Sequence, residues 1–244
     1  MQTLAADSFA GVDLVFFAAG GAAAKEFVPA AVAAGATVID KSSNFRMVPD
    51  VPLVVPEVNP EALDGHRGII ATPNCSTIQM VVALKPIYDA VGISRVVVST
   101  YQAVSGSGKR GVDDLERQTA EIVAGVEPTL GLYPYPIAFN ALPHSDSFLP
   151  SGYTREEQKM VDETHKIFAD PELAVSATCV RVPVFEAHSE SINVQTRDKL
   201  TAAQARELLA HAPGVVVLDD PAELVYPMPA DAAGHDHVYV GRIR

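Results

Sequence analysis

Cys75 stands where a strand-like run ends and a helix-like run begins, in the stretch "ATPNCSTIQM" (residues 71–80). A thiol in the first turn of a helix faces unpaired backbone N–H groups and the positive end of the helix dipole. Both features stabilise a thiolate and lower a cysteine pKa below its free value of about 8.5. The same amides can hold the oxyanion that forms when a thiolate attacks a carbonyl. The position predicts a nucleophile, although a cysteine that only packs would show the same spacing. Cys179, the other cysteine, lies in an apolar run and is predicted to be a small buried hydrophobic residue.

A cysteine nucleophile needs a base, and His188 is the best placed of the seven histidines. It lies in "VFEAHSES", at a turn between two apolar strands, where a scaffold presents functional groups. Arg181 stands inside the preceding apolar strand, where an unpaired arginine would be costly. It could bind a carboxylate in a bidentate way. Alternatively, it could form a buried salt bridge within the sheet, for which Glu190 is the candidate.

The remaining histidines predict no metal site. His144 lies in a proline-rich loop and its role stays open, while the "HDH" pair at 235–237 has no third ligand nearby. Three others lie in loop or exposed-helix contexts and are expected at the surface: His66, His165 and His211.

The residues before Cys75 predict part of a doubly wound α/β domain. An apolar strand at 12–19 is followed by Gly20-Gly21, an Ala-rich helix and a second strand at 36–40, which is the pattern of a βαβ unit. Further strands are expected at 53–58 and 67–74. The dinucleotide fingerprint G-x-G-x-x-G is absent after the first strand, so either this domain binds no dinucleotide or its opening βαβ piece is missing.

After Cys75 the pattern alternates between helices and strands. A proline-rich stretch at 131–152 is expected to be an irregular connection, and Thr154 with Glu157 predicts a capping box. Helical spacing is found at 76–92, 111–125, 154–169 and 201–214, and strand-like runs at 95–105, 172–185, 190–196, 214–220 and 237–244.

Composition narrows the class of protein. The net charge of −12 argues against a nucleic-acid or anionic-membrane surface, because both require clustered Lys and Arg. Two cysteines far apart are no disulfide framework, so a reducing cytoplasm is expected. No apolar run reaches the roughly 20 residues that span a bilayer. The first 21 residues lack a basic segment and predict a core strand rather than a signal peptide.

Several long segments, in this order, resemble the aspartate-semialdehyde dehydrogenase family of the bacterial type. The resemblance runs from residue 12 to residue 244 and rests on "VIDKSSNFRMVPDVPLVVPEVNP", "TPNCSTIQMVVALKPI", "YQAVSGSGKRG", "FNALPHSD", "TREEQKMVDETHKI" and "RVPVFEAHSE". It implies a glyceraldehyde-3-phosphate-dehydrogenase-like α/β fold. A partial Rossmann-like NADP-binding domain at 1–74 would precede an α+β catalytic and dimerisation domain at 75–244. Relative to the family, we expect the chain to be truncated at both ends.

The resemblance also implies roles for individual residues. It makes Cys75 the nucleophile, with Asn74 beside it, and His188 the acid/base residue. The residues implied to bind substrate are Gln102, which orients it, Glu156, which pairs with its amino group, and Arg181, which binds its carboxylate. The residues implied to bind phosphate are Arg46 and Lys159, which from the residues alone would be surface charges. The residues implied to lie near the nicotinamide are Ser105, Gly106, Ser107 and Gly108.

The implied activity is the NADP-dependent interconversion of L-aspartate 4-semialdehyde and L-4-aspartyl phosphate in lysine, methionine and threonine biosynthesis. Its partners would be that substrate, inorganic phosphate and a second copy of the chain. Three alternatives stay open. They are an N-acetylglutamyl-phosphate reductase, a malonyl-CoA reductase, and a catalytically impaired homologue that only dimerises.

Overall fold

The computed structural model describes residues 3–244, which form two compact units. One unit contains the described residues through Ile78 together with Asp162–Pro171, and the other contains Gln79–Val161 and Glu172–Arg244. Among residues 3–244, no helix combines the length and the apolar character needed to cross a membrane.

The first unit is built on a parallel three-stranded sheet. Its strands are β1 (Leu14–Phe17), β2 (Thr37–Asp40) and β3 (Ile69–Ala71), in the order β1-β2-β3. Helix α1 (Gly21–Ala33) connects β1 to β2 and completes the predicted βαβ unit. Gly20 has φ 89° at the turn into α1, a conformation that favours glycine. Residues from α1, β1 and β2 pack into one apolar core, which contains Phe17, Val28 and Val38.

The strand predicted at 53–58 is absent, so that prediction is wrong. Leu53 makes only an isolated bridge to Ala71. The Asn59 side chain accepts a hydrogen bond from the Val55 amide and donates one to the Leu53 carbonyl, both at 2.9 Å. This side chain therefore takes backbone groups that a strand would need, and Pro56 has no N–H to offer. The apolar run is explained by burial, because Leu53 and Val55 are almost fully buried.

The second unit contains a three-stranded mixed sheet. Strand β4 (Ile93–Gln102) lies at its centre, parallel to β5 (Ala174–Arg181) and antiparallel to β6 (Ser189–Thr196). The predicted strand 95–105 ends at Gln102, because Val104–Ser107 turns into a short 3-10 helix. Register sets Gln102 beside Arg181 and Thr100 beside Cys179.

The long helices from Cys75 onward follow the predicted periodicity. They are α2 (Cys75–Val91), α3 (Lys109–Val123) and α4 (Arg155–Phe168). The predicted capping box of α4 is confirmed: the Thr154 amide donates to Glu157 Oε2 at 2.7 Å, and the Glu157 amide donates to Thr154 Oγ1 at 3.2 Å. The second unit ends with α5 (Ala202–Ala210), β7 (Val215–Val217), the single-turn α6 (Pro229–Ala232) and β8 (Val238–Val240), in which β7 and β8 are parallel.

Candidate active site

Cys75 is the first residue of α2 and is solvent-exposed. The preceding residue, Asn74, forms the turn into the helix. Its carbonyl accepts the first helical hydrogen bond from the Ile78 amide at 2.9 Å, and its side-chain oxygen accepts one from the Ser76 amide at 2.9 Å. The Cys75 thiol lies 3.9 Å from that side-chain oxygen. The geometry therefore presents an accessible thiol at a helix N-terminus, where a thiolate is favoured.

Arg46 lies in the same unit and is buried, so it is not the surface charge that the residues alone suggested. Its Nη1 pairs with Glu163 Oε1 at 2.9 Å. Its Nε donates to the Thr72 carbonyl at 2.9 Å, and its Nη2 donates to the Lys41 carbonyl at 3.0 Å. Three of its five N–H groups are thus engaged.

The predicted substrate residues of the second unit form one cluster at the end of its mixed sheet. Gln102 at the end of β4 is fully buried, and its Nε2 donates to Glu156 Oε1 at 3.1 Å. Glu156 lies in the first turn of α4. Arg181 ends β5, where Nη1 donates to the Ala103 carbonyl at 2.7 Å and Nη2 to Ser145 Oγ at 2.9 Å. The alternative salt bridge between Arg181 and Glu190 is not formed, and no residue of the range 3–244 accepts a hydrogen bond from Arg181 Nε.

His188 lies beside Arg181, and its tautomer follows from one hydrogen bond. The Ala103 amide donates to His188 Nδ1 at 3.0 Å, so the neutral ring carries its proton on Nε2. Burial and the Arg181 guanidinium lower the pKa of His188 to about 4, although the Glu156 carboxylate acts in the opposite direction. The ring is therefore neutral near neutral pH and presents an N–H donor.

Gly106 lets the backbone approach this pair. A Cβ at Gly106 would lie 2.9 Å from His188 Cε1 and Nε2 and 3.0 Å from Arg181 Nη1. Gly106 belongs to the 3-10 turn after β4, together with two of the other residues expected near the nicotinamide, Ser105 and Ser107. Gly108 follows at φ 74° and precedes α3, and a Cβ there would meet no atom within 4 Å.

Lys159 forms ion pairs with two carboxylates, so it is not an isolated surface charge. Its Nζ lies 2.8 Å from Asp146 Oδ2 and 3.1 Å from Glu156 Oε2. Burial acts to lower the pKa of Lys159, but the Asp146 and Glu156 carboxylates outweigh it and hold the pKa above its ordinary value. Correspondingly, burial acts to raise the pKa of Asp146, but Lys159 and Ser147 hold it below its ordinary value.

Sequence reasoning missed three side chains of these clusters: Ser145, Asp146 and Glu163. Ser145 and Asp146 are consecutive in the segment "LPHSD", and they contact Arg181 and Lys159 respectively. That segment contributed to the resemblance, but only His144 was weighed there. His144 instead stacks on Phe148, with ring centroids 4.6 Å apart.

The other groups weighed for chemistry lie elsewhere. His235 and His237 make edge contacts with Tyr239, and no cluster of three metal-binding side chains occurs in the described part of the chain. Cys179 is buried, as predicted, and burial raises its pKa to about 12. A thiolate there is therefore strongly disfavoured near neutral pH.

Comparison with known proteins gives consistent matches along the whole chain. The sequence families described as "Semialdehyde dehydrogenase, NAD binding domain" and "Semialdehyde dehydrogenase, dimerisation domain" match residues 1–66 and 84–244. The aspartate-semialdehyde dehydrogenase of Aquifex aeolicus is 57% identical over 241 residues, which are 98% of this chain and 71% of that protein.

Solved structures show the same similarity. Aspartate semialdehyde dehydrogenase II from Vibrio cholerae, complexed with ASA, matches with a TM-score of 0.93 at 50% identity, covering 96% of this chain and 69% of that one. The aspartate semialdehyde dehydrogenase with NADP from Candida albicans matches with a TM-score of 0.71 at 28% identity, covering 95% and 68% of the two chains.

Proposed function

The chain belongs to the aspartate-semialdehyde dehydrogenase family, and from that premise we propose that it interconverts L-aspartate 4-semialdehyde and L-4-aspartyl phosphate with NADP. The family makes it an oxidoreductase of amino-acid biosynthesis. We further propose that it acts in the biosynthesis of lysine, methionine and threonine. The observation that carries it is the cluster around Arg181. This cluster contains Arg181, which can bind a carboxylate, and Glu156, which can bind an amino group. It also contains the neutral His188, which can donate to an aldehyde oxygen.

The described residues supply part of a site for a nicotinamide dinucleotide, although the G-x-G-x-x-G fingerprint is absent after β1. The β1-α1-β2 unit has a positive-φ glycine at its turn, and a Cβ at Gly20 would meet no atom within 4 Å, so this helix N-terminus can be approached by a phosphate. Ser105, Gly106, Ser107 and Gly108 would hold the nicotinamide end. When bound, the cofactor supplies the redox chemistry that interconverts a hemithioacetal and a thioester. The Candida albicans relative with NADP supports NADP over NAD.

Cys75 would act as the nucleophile on the aldehyde. Its thiolate forms a carbon–sulfur bond with the aldehyde carbon, and the aldehyde oxygen gains the negative charge. His188 would donate a hydrogen bond from Nε2 to that oxygen and exchange the proton with it, which is its acid/base role. The Ala103 amide holds the tautomer that makes this donation possible.

Substrate recognition would use both signs of charge. Arg181 would bind the substrate carboxylate, because each of its Nη groups carries a second N–H beyond the contact described. Glu156 would bind the substrate amino group, with Gln102 fixing the carboxylate of Glu156 and orienting the substrate. Asn74 would support the substrate beside the nucleophile.

Phosphate would be bound by Arg46 and Lys159. Attack of a phosphate oxygen on the thioester carbonyl releases the Cys75 thiolate and leaves an acyl phosphate, and biosynthesis runs this step in reverse. Both cations are already paired with carboxylates. Phosphate must therefore compete with protein anions for them. Attack by a CoA thiol in place of phosphate would instead indicate a malonyl-CoA-type reductase.

The match to the dimerisation domain over residues 84–244 supports a homodimer. Cys75 and Cys179 form no disulfide in the described range 3–244, which supports a reducing compartment such as the cytoplasm.

The test is reduction of NADP by aspartate semialdehyde, measured with phosphate, with CoA and with neither. We expect phosphate dependence, retention of activity in Cys179→Ser, and its loss in Cys75→Ser. CoA dependence, or a preference for N-acetylglutamate semialdehyde, would assign one of the other reductases. No turnover, together with a Cys75 that reacts with iodoacetamide no faster than Cys179, would leave only the dimerising homologue.

A further inference from the structure

Glu163 is a buried carboxylate that the proposed reaction does not use. It lies in α4 with its side chain 1% exposed, and Oε1 pairs with Arg46 Nη1 at 2.9 Å. Oε2 accepts a hydrogen bond from the Asn74 backbone amide at 2.6 Å. Both oxygens therefore have charged or backbone partners in the first unit. A buried ion pair contributes little net stability on its own, so stability alone does not explain why Glu163 and Arg46 are paired here.

The pair holds the turn that leads into α2 at two points. Glu163 takes the amide of Asn74, while Arg46 donates from Nε to the carbonyl of Thr72 at 2.9 Å. The segment that contains Arg46 is itself hydrogen-bonded to α4. Lys166 Nζ donates to the carbonyls of Arg46, Val48 and Val51 at 2.7, 2.8 and 2.8 Å. The turn between Thr72 and Asn74 is thus fixed from outside its own strand and helix.

Cys75 follows directly after the residue that Glu163 holds. The direction of the Asn74 amide, together with the helical hydrogen bond to the Asn74 carbonyl, sets the direction in which α2 starts. A carboxylate alone behind this turn would disfavour a thiolate by charge repulsion. The Arg46 guanidinium cancels that charge at hydrogen-bonding distance.

We propose that Glu163 and Arg46 are positioning residues for Cys75. Glu163 fixes the Asn74 amide, and Arg46 neutralises the carboxylate, so that the turn is held without an uncompensated negative charge behind the thiol. The inference rests on the proposed role of Cys75 as the nucleophile. It gives Arg46 a task in addition to phosphate binding, and it gives Glu163 a task that the resemblance did not suggest.

The experiment is the pH dependence of Cys75 alkylation by iodoacetamide in the full chain, read by mass spectrometry, together with kcat. Arg46→Met leaves the carboxylate uncompensated, and we expect Cys75 to react about three- to tenfold more slowly near neutral pH. Glu163→Gln leaves the guanidinium uncompensated, so the profile shifts toward lower pH. In Glu163→Gln, either the Asn74 amide loses its acceptor or Arg46 loses its partner. We therefore also expect the kcat of this variant to fall at least about tenfold.

The double variant Arg46→Met/Glu163→Gln separates charge from position. It contains no unpaired charge, so it tests the proposal even if a single variant fails to fold. Its alkylation profile should return to within about twofold of the original protein, because the charges again balance, while kcat stays low because the Thr72 carbonyl has lost its Arg46 donor. Glu157→Gln is the matched control: Glu157 is also a buried carboxylate of α4 that accepts a backbone amide, that of Cys179 at 2.9 Å, and its loss should leave the Cys75 profile unchanged.

Unchanged alkylation profiles in both single variants would overturn charge compensation, and an undiminished kcat in Glu163→Gln would overturn positioning. Either result is distinct from failure of the proposed function. If the proposed function failed, the original protein itself would show no difference in reactivity between Cys75 and Cys179.

Discussion

The backbone amide of Ala103 donates a hydrogen bond to Nδ1 of His188 at 3.0 Å, and the carbonyl of the same residue accepts one from Arg181 at 2.7 Å. Ala103, which directly follows β4, thus orients both the histidine and the arginine. The His188 ring is held with Nε2 as its donor, next to a guanidinium that disfavours a second proton.

The first prediction concerns stability in acid. Burial and Arg181 lower the pKa of His188 to about 4 in the folded protein, whereas an unfolded histidine titrates near 6.5. The unfolded chain therefore takes up the proton first as the pH falls, and the folded state loses stability between about pH 6.5 and about pH 4. We expect this histidine to account for about 3 kcal/mol of the loss. Urea denaturation at both ends of the range would show a smaller loss in His188→Asn, and equal losses would contradict the assignment.

The second prediction concerns Gly106. Gly106→Ala places a Cβ 2.9 Å from the His188 ring and 3.0 Å from Arg181 Nη1, so one of the two side chains must move. We expect kcat/KM for aspartate semialdehyde to fall about 10- to 100-fold, with a stability loss of roughly 1–3 kcal/mol from overpacking. Gly65→Ala is the control, because a Cβ there meets nothing within 4 Å. Full activity in Gly106→Ala would show that the contact is not needed.

The third prediction concerns phosphate. Asp146 lies 2.8 Å from Lys159 Nζ and competes with any anion for that ammonium group. Asp146→Asn should therefore lower the KM for phosphate about three- to tenfold, while Lys159→Met should raise it. The exposed pair Lys109–Asp113, at 2.6 Å, offers a matched control, and Asp113→Asn should leave the KM unchanged. An unchanged KM in both Asp146→Asn and Lys159→Met would remove Lys159 from the phosphate site.

The fourth prediction concerns stability in base. Burial raises the pKa of Glu190 to about 8, although the Gln79 side chain acts to lower it. Neither carboxyl oxygen has a hydrogen-bond partner of ordinary geometry among residues 3–244. Because the folded state holds this proton more tightly than the unfolded chain, stability declines as the pH rises from about 4.5 through about 8. Thermal unfolding between neutral pH and pH 9 should show a steeper decline in the original protein than in Glu190→Gln, and parallel declines would place the cause elsewhere.

Much of the fold follows from local patterns in the sequence. The βαβ unit was predictable because apolar runs of strand length flank a helix that begins at a glycine turn. The start of α2 at Cys75 was predictable because the hydrophobic spacing changes there. The start of α4 was predictable because Thr154 and Glu157 have the spacing of a capping box. The same reasoning failed at 53–58, where a side chain from Asn59 takes the hydrogen bonds of an apolar run. A local pattern cannot show which backbone groups a later side chain will satisfy.

The sequence alone determined the identity of the chemically capable residues, their elements and the family they resemble, because these depend on residue type and short-range spacing. Only the tertiary structure decided the partners of those residues. Arg46 pairs with a carboxylate 117 positions away, and Arg181 turns to Ser145 rather than Glu190. Ion pairs and buried hydrogen bonds form between groups that folding brings together, so their partners are set by the packing of distant segments and not by their spacing along the chain.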